Sequence, residues 1–132
     1  MNSDLSPALG DSADLTFTVA ESDTAAALGS GDVPALATPR LLAWLEAVTL
    51  AALALPAAGG VTSLVSRVEI EHRAASPVGA EVVVHASACF VDGRLVRFEV
   101  AAEQTVRGST SLVATGQITR VLVDRARFLA RL

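Results

Sequence analysis

Three hydrophobic patterns follow one another along this chain, and each predicts a different kind of structure. Residues 1–13 mix Ser, Asp, Pro and Gly with no apolar period, which predicts a disordered tail ahead of one domain over 14–132. Leu15–Ala20 (LTFTVA) alternates apolar residues with Thr and reads as a first strand. Residues 21–37 combine a short helical turn with a loop containing Gly and Pro.

The run Leu41–Leu55 (LLAWLEAVTLAALAL) is apolar on all helical faces, with Glu46 and Thr49 as its only polar side chains. Thr38 as N-cap and Pro39 at the first helical position start this helix; Pro56 and the Gly59-Gly60 pair stop it. Such a helix belongs in the middle of a protein. At 1.5 Å per residue its fifteen residues span about 22 Å, short of the roughly 30 Å hydrocarbon core of a membrane. Glu46 is therefore a carboxylate aimed into an interior. An isolated buried charge costs several kcal/mol, so it needs a partner or a function.

After residue 61 the period changes to two. Val61–Ala75, Glu81–Val91, Leu95–Val106 and Ser111–Val123 read as strands. Ser76–Gly79, Asp92-Gly93 and Arg107–Ser109 are the turns between them, implying four consecutive antiparallel strands. Asp124–Leu132 reads as a terminal helix or strand extension. In the strand from Val61, even positions (Thr62, Leu64, Ser66, Val68, Ile70, His72) face the core, whereas Arg67, Glu69, Glu71 and Arg73 face solvent. His72 and Glu46 then point inward from two different elements. His85 and Cys89 share the parity opposite to Val82, Val84, Ala86 and Phe90, and are expected to face outward or an interface.

Composition narrows the function classes. The chain has 132 residues, 52% hydrophobic and 18% charged, which suits one globular domain. All ten basic residues are Arg, and residues 1–33 carry six acids and no base. No basic stripe suggests nucleic acid as a partner. A lone Cys89 rules out an internal disulfide and a CxxC metal site, and no metal ligand set stands out. The first residues lack the pattern of a signal peptide, so a cytoplasmic protein with no membrane partner is expected.

One strand, one long buried helix and four antiparallel strands suggest an α+β fold, the hot-dog architecture, with about five strands wrapped around the helix. Four segments strengthen this: ATPRLLAWLE ending at Glu46, VEIEHRAASPVG around His72, VDGRLVRFEV at 91–100 and ATGQITRVLVDRARF at 114–128. Over about two thirds of the chain they resemble the hot-dog thioesterases related to fluoroacetyl-CoA thioesterase. The resemblance implies hydrolysis of an acyl-CoA or acyl-carrier thioester, with no cofactor beyond the coenzyme A of the substrate. It implies a catalytic set of Thr38, Glu46 and His72, and a homodimer or dimer of dimers. It also directs attention to Val65, where relatives carry Gly near the acyl group, and to Gly29–Ala37, which lacks the lid phenylalanines of the fluoroacetate enzyme. Arg40 and Arg120 are candidates for the coenzyme A phosphates.

The chemistry fits these residue types. A thiol of pKa about 8.5 leaves readily as thiolate, so hydrolysis needs an activated nucleophile and a polarised carbonyl. Glu46 can act as general base on water or attack directly. His72 can orient Glu46 or protonate the intermediate, and Thr38 can hold water or the carbonyl oxygen. Thr38 and Glu46 lie about 12 Å apart along a helix starting at Pro39. Either the helix starts later, or the site assembles across a dimer. A hydratase or dehydratase, or a non-catalytic acyl-thioester-binding dimer, would use the same inward pair.

Overall fold

The computed structural model describes residues 8–56 and 58–132. Strand β1 (Ser12–Thr18) leads through a 3₁₀ turn at Glu21–Asp23 and helix α1 (Ala25–Leu28) to helix α2 (Thr38–Leu53). Strands β2 (Val61–His72), β3 (Glu81–Asp92), β4 (Leu95–Val106) and β5 (Ser109–Asp124) follow, and helix α3 (Arg125–Leu129) ends the chain. The five strands form one antiparallel sheet in the order β1-β3-β4-β5-β2, curled around α2. This is the α+β hot-dog architecture. Residues 1–7 of the expected tail lie outside the described residues. The rest of that tail is ordered: Gly10 donates its N–H to the Ala88 carbonyl, and β1 already begins at Ser12.

The two tight turns of the sheet form where the sequence asks for them. Gly93 takes φ 60° as the first residue of the β3–β4 loop, the place a two-residue hairpin gives to glycine. Arg107 and Gly108 both have positive φ in the β4–β5 loop, the pattern of a type I′ turn. The turn expected after β2 makes no hairpin. β2 pairs with β5 at the far edge, and β3 pairs with β1 and β4. The connection is too long for a tight turn and is anchored elsewhere. Ser76 is fully buried and its carbonyl accepts the Leu36 N–H, while Pro77 bridges Ala35.

Leu41, Leu45 and Val48 of α2 are fully buried against Val82, Val84, Phe98 and Ile118 from the inner face of the sheet. Each such side chain contributes about 1.5–3 kcal/mol. Phe17 of β1 stacks on Trp44 with ring centroids 4.7 Å apart, which fixes the helix over the β1 side. The opposite side of α2 is less covered, since Leu50 is 50% exposed. The interior position expected for every face of the helix therefore holds for one face within the protomer. At the other margin Gly116 sits where β5 comes so close to β2 that a Cβ would collide with the Glu69 carbonyl.

Two β-bulges correct the parity reading. In β2 the register shifts between Val65 and Arg67. Val68, Ile70 and His72 face inward as expected, but before the bulge the inward residues are Ser63 and Val65, and Leu64 is exposed. A second shift between Ala88 and Phe90 turns Phe90 out and Val91 in. One extra residue reverses every later side chain.

Candidate active site

Thr38 is the first residue of α2, and the N-cap position belongs to Ala37. The Thr38 side chain makes no capping bond. Its Oγ1 lies 2.7 Å from Nδ1 of His72 at the end of β2. The helix starts beside that point because α2 and β2 run antiparallel after the short 54–60 connection. Thr38 and His72 line a cleft of about 300 Å³ together with Ala25, Val33, Ala35 and Ala37. Among the described residues no Phe or Trp ring lines it.

His72 is partly buried, and its Nε2 is fully shielded with no hydrogen bond among the described residues. Burial lowers its pKa below the usual imidazole value, with the nearby Ala74 backbone opposing weakly. The ring is thus held neutral around neutral pH. A Thr38 hydroxyl donating to Nδ1 leaves the ring proton on Nε2, the nitrogen without a partner.

Glu46 stands two turns further along α2 and outside this cleft. Among the described residues its carboxylate makes no hydrogen bond and no ion pair, and it is half-buried. Its surroundings are nonetheless built. Arg120, 4% exposed, reaches inward from β5 and donates Nε–H to Thr49 Oγ1 (2.7 Å), Nη1–H to Ser63 Oγ (3.0 Å) and Nη2–H to the Glu46 carbonyl (3.0 Å). Thr49 in turn donates to the same carbonyl at 2.6 Å. Burial pushes the Arg120 guanidinium down from its ordinary value, and the charge of Glu46 opposes this.

The expected site residues therefore fall into two groups. Thr38 and His72 meet; Glu46 does not join them in the protomer. The expectation that Arg120 meets coenzyme A phosphates fails for a physical reason, because its guanidinium is buried and all three nitrogens are bonded inside the domain. Arg40 pairs with Asp23 at 3.0 Å and stays accessible beside the helix start. Val65 packs against the core and faces Arg120 across the β2–β5 pair. Thr49 and Ser63 were missed from sequence: Thr49 looked like an ordinary helix residue, and the bulge hid the inward direction of Ser63.

Elsewhere, His85 bridges Asp14 (Nδ1–Oδ1, 2.6 Å) and Glu103 (Nε2–Oε1, 3.0 Å) on the outer face of the sheet. This matches the outward direction read from parity. No sequence signal could announce the cluster, because it depends on β1 lying beside β3.

Comparison with known proteins supports one assignment. The family model of the fluoroacetyl-CoA-specific thioesterase (FlK) matches residues 19–126. A crystal structure of a point mutant of that enzyme is 25% identical, with a TM-score of 0.82 over 95% of this chain and 94% of the other. A thioesterase superfamily protein of Thermus thermophilus (24% identity, TM-score 0.82, 94% and 89% covered) shares the fold. So does a hot-dog-like protein of Thermanaerovibrio acidaminovorans (24%, 0.81, 98% and 92%). Among curated proteins none matches the chain significantly. With the family match spanning most of the domain and the Thr38–His72 pair at its helix start, the chain belongs to the fluoroacetyl-CoA thioesterase family and is a hot-dog thioesterase.

Proposed function

We propose that this thioesterase hydrolyses acyl-CoA thioesters at a site shared between two protomers, with Thr38 and His72 from one and Glu46 from the other. The observation that carries this reading is the complementary incompleteness of the two ends. His72 has a buried ring nitrogen without a partner, and Glu46 has a carboxylate without one, some 12 Å along the helix. β2 is a free edge of twelve residues, and free edges invite pairing. Two β2 edges paired antiparallel about a two-fold axis would bring the His72 end of one against the Val61–Val65 end of the other. The latter end is where Ser63 and Arg120 buttress Glu46. A dimer would also cover the exposed Leu50 and Leu64.

In this reading Glu46 takes a proton from water as the water attacks the thioester carbon. His72 Nε2–H bonds the carbonyl oxygen or the Glu46 carboxylate, and Thr38 fixes the tautomer. The C–S bond breaks, the thiol leaves as thiolate, and the free acid remains. No cofactor or metal enters the scheme. The open cleft, lined by no Phe or Trp ring among the described residues, suits acyl groups larger than acetyl. An acyl-CoA substrate suits a cytoplasmic setting, and no described helix is long and apolar enough to cross a membrane.

The test is a panel of acyl-CoA thioesters with detection of released thiol, run with light scattering. Turnover together with a mass of at least twice 13.5 kDa is expected. Hydration of enoyl thioesters without thiol release, or thioester binding without turnover, would replace this reading. A monomer at micromolar concentration would refute the shared site.

A further inference from the structure

Of the ten arginines, Arg40, Arg67 and Arg73 form ion pairs, Arg97 lies over the Phe90 ring, and Arg120 is consumed in the interior. Three of the others converge. Arg94 from the β3–β4 turn and Arg127 and Arg131 from the end of the chain line one cleft of about 260 Å³ with Asp124, Leu122 and Phe128. None of the three has an ion pair among the described residues. The single carboxylate in the cleft, Asp124, is already engaged, accepting the Arg127 backbone N–H at 2.8 Å as the cap of α3. Arg94 is held in place by its bond to the Leu122 carbonyl (3.4 Å). Like charges gathered this way repel one another unless an anion joins them.

The position matters as much as the charge. The cleft lies at the end of β5, and Arg120, which holds the Glu46 carbonyl, is four residues back along the same strand. Four residues of strand span about 13 Å. The pantetheine arm of coenzyme A has twelve bonds between sulfur and the pyrophosphate oxygen. That equals about four residues of extended backbone, or about 14 Å. A thioester with its carbonyl near Glu46 is therefore long enough to place its phosphates at this cleft.

We propose that Arg94, Arg127 and Arg131 form the phosphate-binding subsite for the coenzyme A portion of the substrate, with the Phe128 ring beside the adenine. The geometry takes the place of the role expected for Arg120. Guanidinium forks suit phosphate oxygens in two-point contacts, and an aromatic ring gives a purine a flat apolar surface. The proposal rests on the thioesterase reading and on Glu46 as part of its site.

The experiment compares wild type with the R94A/R127A/R131A triple variant on an acyl-CoA and on the matching acyl-pantetheine, which lacks the nucleotide and its phosphates. The preference for the CoA thioester, as a ratio of kcat/KM, is expected to fall at least tenfold in the variant, through KM. Raising salt is expected to lower the preference in wild type and to change it little in the variant. Calorimetric titration with adenosine 3′,5′-bisphosphate reads the cleft without any turnover, and binding is expected in wild type and lost in the variant. Melting curves establish that the variant is folded, and the double variant R127A/R131A replaces it if it is not. An unchanged preference together with unchanged nucleotide binding would overturn the proposal. So would a loss confined to an acyl-carrier-protein substrate, which would make the cleft a docking patch for an acidic carrier. If wild type hydrolyses neither thioester yet binds the nucleotide through these arginines, the catalytic reading fails and the subsite stands.

Discussion

The two histidines of this protein sit on opposite faces of one sheet, and their surroundings give them opposite chemistry. His72 ends β2 on the inner face, with a hydroxyl on one nitrogen and nothing on the other. Burial holds its pKa down. His85 lies on the outer face between Asp14 and Glu103. Burial acts on it in the same direction, but the two carboxylates outweigh it and raise its pKa. One imidazole is kept neutral with a free hydrogen-bonding position, as a catalytic residue needs. The other is a fully partnered cross-strand tie between β1, β3 and β4. Residue type reveals neither role; strand direction and neighbours decide both.

The largest contrast should appear in turnover. Glu46→Gln is nearly isosteric and is expected to lower kcat at least 100-fold, about 2.7 kcal/mol of barrier, with an unchanged melting temperature. Retention of more than a tenth of wild-type kcat would take Glu46 out of the mechanism. His72→Ala is expected to lower kcat to a similar extent, whereas His85→Ala should leave it within about threefold. Equal effects at the two positions would erase the distinction between the faces.

Stability should separate the buried guanidinium from the surface ones. Arg120→Ala is expected to cost about 2–4 kcal/mol in denaturant unfolding, since it empties a packed position and strands the groups it bonds. Arg67→Ala, at an exposed pair, should cost under about 1 kcal/mol. Similar losses from both would mean that the Arg120 network holds little together.

The pH dependence should have opposite signs. For His72, with a lowered folded pKa, the unfolded chain binds the proton more readily. Its contribution is therefore neutral above about pH 6.5 and turns destabilising as pH falls below that value. For His85, with a raised folded pKa, stabilisation is full below about pH 6.5 and fades as pH rises through the folded value. Melting curves of His72→Ala and His85→Ala against wild type, from pH 5 to 9, should both depart from it on the acid side but in opposite directions. His72→Ala gains relative stability as pH falls below about 6.5, whereas His85→Ala is relatively less stable there and approaches wild type as pH rises. Divergence in the same direction would show that one of the two environments is misjudged.

The smallest expected effect is in substrate choice. Gly29–Ala37 brings no aromatic ring to the cleft, so a preference for fluoroacetyl-CoA over acetyl-CoA should stay below about 100-fold, or 2.7 kcal/mol. A larger preference would require an enclosure other than a phenylalanine lid.

Much of this arrangement was legible before any coordinates. Leu95–Val106 is a strand with the predicted bounds, and the helix, the Gly93 and Gly108 turns and the inward direction of His72 follow from period and turn chemistry. Strand order did not follow, because a loop anchored by Ser76 and Leu36 looks in sequence like a hairpin turn. Parity failed before Val65 and after Ala88, since a bulge leaves no mark in a pattern of period two. Thr38 and His72 could be paired in advance through family resemblance. The enclosure of Arg120 could not, because an arginine that faces a helix reads like one that faces water.

The central claim is that His72 and Glu46 act together across two subunits, and subunit mixing tests it most directly. Glu46→Gln and His72→Ala chains, each inactive alone, are co-expressed with different tags so that mixed dimers form. In a mixed dimer one shared site carries both substitutions and the other carries neither. With random pairing, activity should return to about a quarter of wild type, concentrated in the doubly tagged species. A doubly tagged dimer as inactive as its parents would place all three groups in a single chain and contradict the shared site.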